Sequence, residues 1–355
     1  MNNRTMRSIM TICCVCIFFF LMCAFFVDAS HAASVKSGTT TRKEQTTRVN
    51  LSAGTALITV YDNDSWVYAQ LQLTGENKLG TAVNGDTLLA ELGQNKTFTV
   101  PVRKSGTYYL YLHGTNKGAT YSVQQIPAGG KLKSGTPRLG TSYADNTTYV
   151  FYKIHVPAKG KLRITATDAS YRYPGFSKIK LKKKGRLYSG EEYLFRGMGY
   201  STVYGVKKGT YMIGVRSSSE LYKITATFTE VVPSKYGKTK SEAAVIERNT
   251  PARGVVLAKT STARWYKITL PESTRKGQKR AITIKASNNN KNLNSGIKAI
   301  MLIKKPKKGF IKRTAVVNND SFVKKLSVFK NRTRDVYVRV YPKNGTTGTY
   351  TITWK

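Results

Sequence analysis

The side chains best placed for chemistry in this sequence are basic. Lys178, Lys180 and Lys182 alternate with Ile179 and Leu181, so in a strand their three ammonium groups would share one solvent-facing side. Further basic residues continue into the adjoining turn, and a second cluster follows later in the chain. The two clusters are Lys178, Lys180, Lys182, Lys183, Lys184 and Arg186, and Lys304, Lys305, Lys307, Lys308, Lys312 and Arg313. Clustered cations concentrate polyanions near a surface, so we predict that both clusters bind an anionic polymer.

The charge is distributed unevenly along the chain. The whole sequence carries 59 Lys and Arg against 18 Asp and Glu, and the net charge is +3 over 33–126, +13 over 127–232 and +24 over 233–355. Lysine on exposed strands also keeps sheets from pairing edge to edge, which explains part of this excess. A gradient of this size is not needed for folding, and it favours an anionic partner.

Exposed tyrosines offer a second kind of surface. In Gly106-Thr107-Tyr108-Tyr109-Leu110-Tyr111-Leu112, alternation places Tyr109 and Tyr111 on the face opposite to the core. The same rule places Tyr337 and Tyr341 outward in a later strand. Aromatic strips on a sandwich can stack on sugars, although tyrosine is also an ordinary strand residue. Carbohydrate binding through these four tyrosines is therefore the alternative function.

Residues suited to catalysis or to metal binding are few. All cysteines lie before position 24, and the histidines beyond position 32 are His113 and His155, both expected at the surface. Glu191 and Glu192 are adjacent, so in a strand they point to opposite faces and cannot act together. We predict no enzyme activity, no catalytic residue and no cofactor.

One segment has side chains that could ligate calcium. Asp62 and Asp64 have the spacing to share a face, and Asn63 and Ser65 could add oxygen ligands. The same four residues have the composition of a turn, and we favour the turn over a metal site.

The elements that must position these side chains are strands, and they occur three times. Hairpins that begin near Tyr108, Tyr211 and Tyr337 each alternate apolar and polar residues. No long apolar pattern has the helical period. The sequence thus predicts an all-β protein of three tandem antiparallel, jelly-roll-like β-sandwiches at 46–126, 127–232 and 233–355, after a flexible segment at 33–45.

The order of these strands resembles a known family. An aromatic strand, an Ala/Lys-Gly turn, an Ile-Thr strand, a Leu-x-Leu strand and a Gly-Thr-Tyr hairpin are similar to the bacterial pre-peptidase C-terminal (PPC) domain. The middle copy carries the resemblance best, through Asp145–Tyr152 and Lys208–Tyr211. The third copy departs from it, with Arg332–Asp335 where Gly-Thr is expected. The resemblance implies a jelly-roll-like sandwich with accessory work, namely binding, targeting or spacing at a cell surface.

The N-terminal segment indicates export. Arg4 and Arg7 precede an apolar run over 9–27, and Ser30-His31-Ala32 offers a cleavage site, so 1–32 is predicted to be a signal peptide. The run is also long enough for an uncleaved membrane anchor. With cleavage, no transmembrane segment is expected in the remaining chain.

These features together predict a secreted bacterial protein that associates with the cell wall. Its predicted partner is an anionic cell-wall polymer or acidic polysaccharide, bound by the two more basic sandwiches. A spacer or adhesin that binds another protein is a further alternative. Nucleic acid is the least favoured partner, because the export signal argues against a genomic target and the sequence has no known nucleic-acid-reading motif.

Overall fold

The computed structural model describes most of the chain beyond the N-terminal segment. The predicted signal peptide, except Ala32, lies outside the described residues. These residues are 32–41, 44–61, 67–73, 88–90, 96–114, 118–143, 147–168, 177–194, 201–217, 221–274, 277–289, 296–305 and 309–355. They contain strands, turns and bends and no helix, so none of them forms a helix that could span a membrane. The all-β prediction is confirmed.

The chain forms two compact units, of which the first comprises 1–128 and 138–141. Its two antiparallel sheets have the orders β1-β8-β3-β6 and β2-β7-β4-β5, and their inner faces enclose a core that includes Ile58, Tyr108, Leu110 and Val123. The strands of this unit are β1 (Ala33–Thr39), β2 (Glu44–Leu51), β3 (Gly54–Tyr61), β4 (Val67–Leu73), β5 (Leu88–Ala90), β6 (Lys96–Val102), β7 (Gly106–Gly114), β8 (Thr120–Pro127) and β10 (Arg138–Thr141).

The start of this unit differs from the sequence prediction. The segment 33–45 was expected to be flexible, but β1 pairs antiparallel with β8, with Ser37 opposite Ser122. Polar composition suggested disorder here. β8 nevertheless offers its free edge, and Val35 packs against the core. Backbone pairing with an existing strand therefore orders a segment that has few apolar residues of its own.

The second unit comprises 129–137 and 142–355 and contains two sandwiches. The strands of its first sandwich, here called sandwich two, are β9 (Gly130–Leu132), β11 (Val150–Val156), β12 (Gly160–Asp168), β13 (Ser177–Lys183), β14 (Arg186–Leu187), β15 (Glu192–Leu194), β16 (Ser201–Val206), β17 (Gly209–Ser217) and β18 (Leu221–Glu230). One sheet has the order β14-β13-β17-β11-β9, with β15 also paired to β13, and it faces the strands β18-β12-β16. In β11, buried and outward residues alternate strictly, which is the pattern of a sheet that covers a core on one side.

The strands of the other sandwich, sandwich three, are β19 (Ala244–Val245), β20 (Ala252–Val256), β21 (Arg264–Leu270), β22 (Lys279–Asn288), β23 (Gly296–Lys305), β24 (Gly309–Val317), β25 (Ser321–Ser327), β26 (Arg334–Lys343) and β27 (Gly348–Trp354). They form the sheets β19-β21-β26-β23-β24 and β20-β27-β22-β25. The first of these repeats the arrangement of β9, β11, β17 and β13, including a short parallel strand beside β21. Residues of both sheets fill one core.

A pair of buried rings joins the two sheets in each of these sandwiches. The hydroxyl oxygens of Tyr152 and Tyr222 are 3.0 Å apart in sandwich two, and those of Tyr266 and Tyr350 are 2.7 Å apart in sandwich three. Each pair is edge to face, with ring centroids 6.3 Å apart. Both hydroxyls thus find a partner inside an apolar core, which a buried phenol needs.

Sandwiches two and three meet along β16, which is buried on both of its faces. Gly205 donates its N–H to Thr347 Oγ1 at 3.0 Å, and Thr347 Oγ1 also lies 2.8 Å from the carbonyl oxygen of Val256. A side chain at Gly205 would not fit, because a Cβ there would lie 2.2 Å from that same oxygen. The two sandwiches are therefore held as one compact body.

Candidate functional site

The outward side of the sheet β14-β13-β17-β11-β9 carries alternating cations and aromatic rings, and is called here the second outer face. Lys180 Nζ lies 3.4 Å from the ring centroid of Tyr149, and Lys182 Nζ lies 4.7 Å from that of Phe151. Two further cations of this face are Lys178, whose Nζ lies 4.6 Å from the ring centroid of Tyr193, and Arg216, whose Cζ lies 5.1 Å from that of Tyr149. The prediction that Lys178, Lys180 and Lys182 share one face of a strand is confirmed.

The rings hold these cations without neutralising them. A cation over an aromatic face gains about 0.5–2 kcal/mol and keeps its N–H donors available. A carboxylate partner would cancel the charge instead. The second outer face is therefore a set of fixed positive charges that can still donate hydrogen bonds to an anion.

A glycine makes the close packing of this face possible. Gly214 lies opposite both Phe151 and Lys180 in the registers of its two neighbouring strands. A Cβ at this position would lie 2.7 Å from Phe151 Cε1 and 3.1 Å from Lys180 Cγ. The missing side chain thus lets the ring and the lysine stem meet over the central strand.

The electrostatics of this face reflect its crowding. Burial lowers the pKa of Lys180, and the neighbouring Lys182 lowers it further, while Glu191 acts in the opposite direction. Burial also raises the pKa of Tyr149, with a further contribution from Glu191. One acidic side chain therefore lies beside the cations, and the face remains positive on balance.

The remaining members of the first predicted cluster lie elsewhere. Lys183 points to the opposite side of β13, because neighbouring strand residues alternate. Its Nζ donates to the carbonyl oxygen of Lys208 at 2.9 Å and to the hydroxyl of Tyr211 at 3.1 Å. These bonds stabilise the turn between β16 and β17. Lys184 is exposed in the turn with a φ of 49°, and Arg186 is exposed on β14. The structure does not bring these three residues to the second outer face.

The equivalent side of the sheet β19-β21-β26-β23-β24, called here the third outer face, has a different composition. Arg339 lies between two rings, with its Cζ 5.6 Å from Trp265 and 5.0 Å from Tyr341. Lys240 Nζ lies 3.5 Å from the ring of Phe310 and 5.0 Å from that of Tyr337. Four aromatic rings therefore lie on this face, and two of its cations are packed against them.

An acidic residue of this face is already paired within the protein. Lys267 Nζ lies 3.1 Å from Asp335 Oδ2, and Thr269 donates its hydroxyl to Asp335 Oδ1 at 3.0 Å. Lys298 lies near an aromatic ring instead, with its Nζ 5.6 Å from Tyr341. Lys267 therefore pairs with the charge of Asp335. Aromatic rings lie against the other cations described here, which are Arg339, Lys240 and Lys298.

The second predicted cluster is not assembled on one face. Lys304 is exposed at the end of β23, and Lys312 lies opposite Leu302 on the third outer face. Arg313 is the next residue in β24 and points to the other side. Lys307 and Lys308 lie outside the described residues, as does the side chain of Lys305. The sequence grouped these residues by proximity along the chain, whereas strand alternation keeps Lys304 and Lys312 on the third outer face and directs Arg313 to the other side.

The predicted tyrosines lie on outward positions. Tyr337 and Tyr341 are half-buried on the third outer face, and Tyr109 and Tyr111 are half-buried in β7. In register, Tyr109 lies opposite Arg48 of β2. Sequence reasoning missed Trp265 and Lys240, although the alternation of Trp265 with the buried Tyr266 would have identified the former.

The other predicted positions are only partly described by the structure. His155 is exposed, and Asp62 and Asp64 lie outside the described residues, as does the side chain of His113. In the part of the chain that is described, no group of three His, Cys, Asp or Glu residues could hold a metal ion.

The adjacent glutamates separate as predicted, with Glu191 exposed and Glu192 fully buried. Glu192 accepts hydrogen bonds from the Thr202 hydroxyl and from Asn289 Nδ2, the latter at 2.9 Å. Its carboxyl group thus links sandwich two to sandwich three. No local sequence pattern predicts this contact, because it joins residues that lie 97 positions apart.

Comparisons with known proteins give no family assignment. No model of a known protein family matches the chain, and no curated protein sequence matches it. The resemblance to the PPC domain therefore stays a prediction.

Solved structures provide distant neighbours. One is described as "The Triple Jelly Roll Fold and Turret Assembly in an Archaeal Virus", with 8% identity over 91% of this chain and 90% of that chain and a TM-score of 0.23. Another contains the M60 catalytic domain with the CBM51-1 and CBM51-2 domains of Clostridium perfringens ZmpB. It has 7% identity over 91% of this chain and 36% of that chain, with a TM-score of 0.18.

Proposed function

We propose that this is an exported, non-catalytic binding protein that attaches to an anionic polymer of the cell envelope. The second and third outer faces carry the binding. The nearly neutral first sandwich presents a different surface. The protein is retained at the cell wall by many weak charge contacts rather than by a single deep pocket.

The observation that carries this proposal is the way the cations are held. On the second outer face, Lys178, Lys180 and Lys182 all lie against aromatic rings, and their ammonium groups keep their hydrogen-bond donors. Exposed lysines usually move freely, and immobilising one on binding costs about 0.5–1.5 kcal/mol. Lysines that are already positioned over rings lose less freedom when an anion arrives.

Carbohydrate binding is the second candidate function, and the aromatic residues of the third outer face favour it. Trp265, Tyr337 and Tyr341 occupy neighbouring outward positions on β21 and β26. A neutral glycan would bind such a surface with little dependence on salt, because stacking does not rely on net charge.

The test is binding of the chain from Ala33 to Lys355 to purified cell wall across a salt series, before and after removal of the anionic polymers. The informative variant changes Lys178, Lys180 and Lys182 to Gln. The control removes three charges from elsewhere in the same sandwich, at Lys133, Arg163 and Lys223.

The proposal expects binding that weakens steeply with salt, disappears on the stripped wall and falls at least tenfold in the first variant only. Salt-resistant binding to the stripped wall would favour the carbohydrate function. An equal loss in both variants would mean that total charge, and not the second outer face, determines binding.

A further inference from the structure

The third outer face combines cations with exposed apolar side chains. Phe310 and Val316 of the edge strand β24 are 42% and 41% exposed. In register, Val316 lies opposite Lys298, and Phe310 lies opposite Lys304. Apolar side chains and cations therefore adjoin each other across the strands, so a ligand on this face would contact both at once.

Arg339 lies at the middle of this face. In register it is opposite Trp265 on one neighbouring strand and Ile300 on the other. Its Nε is shielded from solvent and has no hydrogen-bond partner among the described residues. Its guanidinium is placed by the rings of Trp265 and Tyr341. A planar guanidinium fixed in this way suits a planar, bidentate acceptor such as a carboxylate.

The rings next to Arg339 suit the apolar side of a sugar. Trp265 and Tyr337 lie on adjacent strands, which are about 4.8 Å apart, and Tyr341 follows Arg339 two residues along β26. The C–H groups on one side of a pyranose carry partial positive charge, which the negative face of an aromatic ring attracts. The spacing between rings and guanidinium is therefore comparable to the size of one sugar residue.

We propose that the third outer face binds a polysaccharide that carries carboxylate groups. A sugar ring packs against Trp265 and Tyr337, while its carboxylate accepts hydrogen bonds from Arg339 and is attracted by Lys298 and Lys240. The inference rests on the proposed function and identifies the polymer class at one of its faces. A polyol phosphate offers no ring to these aromatic residues, so the apolar part of the face selects against it.

The experiment compares four polymers on the full chain from Ala33 to Lys355. Polygalacturonate provides carboxylated sugars, dextran provides neutral sugars, polyphosphate provides charge without sugars, and poly(dA) provides phosphate with stacking bases. Binding is measured by biolayer interferometry at fixed salt. The variants are Trp265→Ala and Arg339→Lys, which keeps the charge but loses the planar group. Tyr236→Ala is the control. Tyr236 is an exposed aromatic residue whose ring centroid lies 5.3 Å from Arg264 Cζ, and Arg264 lies on the inner side of the same sheet.

The expected result is that Trp265→Ala and Arg339→Lys each weaken binding to polygalacturonate at least tenfold and change binding to polyphosphate less than twofold. The control Tyr236→Ala leaves the affinities for polygalacturonate and polyphosphate unchanged. Each variant keeps a melting temperature close to that of the parent. Dextran binds weakly to the parent protein and to each of its variants.

Three results would overturn the inference. The first is an unchanged affinity of both variants for polygalacturonate. The second is an equal loss for polygalacturonate and polyphosphate, which would show that the ring merely supports the cation. The third is tighter binding of poly(dA) than of polygalacturonate. Binding of polyphosphate by the parent protein separates these results from a failure of the proposed function, in which no polyanion would bind.

Discussion

The second and third outer faces occupy the same place in two copies of one fold, and their chemistry differs. In register, Gly214 of sandwich two corresponds to Arg339 of sandwich three, since each faces an aromatic residue on the neighbouring strand, Phe151 or Trp265. Lys180 likewise corresponds to Ile300. The fold determines which positions point outward, and it leaves the side chains there free to vary.

The two faces differ in which residue lies at the middle of the central strand. On the second outer face the central strand carries a glycine opposite Phe151, and Lys180 lies beside it on β13, while Arg216 lies further along the central strand. On the third outer face the central strand carries the arginine, and β23 has Ile300 and Leu302 at the positions of Lys180 and Lys182, with Lys298 and Lys304 at either end of this row. The first arrangement places lysines beside a glycine, whereas the second places a planar guanidinium at the centre of the face, between two aromatic rings. We therefore expect the second outer face to be the less selective of the two.

The largest effect is expected where the two sandwiches meet. In Gly205→Val the new side chain would overlap the carbonyl oxygens of Val256 and Gly348, which lie 2.2 and 2.4 Å from a Cβ at this position. We expect a loss of about 3 kcal/mol in the free energy of unfolding, measured by urea denaturation. Binding to cell wall should fall as well, because two faces on one rigid body bind a polymer with higher avidity than two independent faces.

The matched control is Gly106→Val, where a Cβ would have its nearest neighbour, Tyr108 Cε2, at 3.9 Å. It should change the free energy of unfolding by less than about 1 kcal/mol. If Gly205→Val is as stable as this control, the close contact along β16 does not hold the sandwiches together.

A smaller effect is expected at the glycine of the second outer face. Gly214→Val would displace the Phe151 ring and the Lys180 stem, which lie 2.7 and 3.1 Å from the new Cβ. Side chains can move more easily than backbone, so we expect a loss of about 1–2 kcal/mol in urea denaturation and a several-fold weaker affinity for polyphosphate. The equivalent change in sandwich three, Arg339→Val, meets no such restriction. Equal stability losses in the two variants would contradict the role assigned to Gly214.

Much of the fold follows from the sequence, because alternation of apolar and polar residues is a local property. Alternation correctly placed Lys178, Lys180 and Lys182 on one face and separated Glu191 from Glu192. Where the sequence reasoning relied on proximity along the chain instead, it grouped Lys182 with Lys183, which point to opposite sides of β13. Contacts between distant positions, such as Asn289 with Glu192, leave no periodic signal and could not be predicted.

Alkaline pH probes the buried tyrosine pair of sandwich three. Burial, followed by the neighbouring Tyr350, raises the pKa of Tyr266 above its ordinary value of 10.0, and burial also raises that of Tyr350. Groups with a raised pKa in the folded state contribute stability below their unfolded pKa and lose it at higher pH. We expect the free energy of unfolding to be constant to about pH 9 and to fall above pH 10.

Replacing one member of the pair tests this interpretation. Tyr266→Phe should cost about 1 kcal/mol at neutral pH and make the decline above pH 10 shallower, because one buried ionisable group is removed. Tyr152→Phe should cost a similar amount at neutral pH in sandwich two, where the hydroxyls are 3.0 Å apart. An unchanged alkaline slope in Tyr266→Phe would mean that other tyrosines, such as the fully buried Tyr204, determine it.

The smallest effect is expected for a substitution that makes part of the third outer face resemble the second. Leu302 lies opposite Tyr337 in sandwich three, just as Lys182 lies opposite Met212 in sandwich two. Leu302→Lys would add a cation beside the Tyr337 ring and remove apolar surface. An added charge at a half-exposed position contributes less than about 1 kcal/mol, so polyphosphate affinity should rise two- to fivefold at low salt. Leu302→Gln, which removes the same apolar surface without adding charge, should leave it unchanged. An equal change in polyphosphate affinity for both substitutions would show that the added charge is not what makes the second outer face differ from the third.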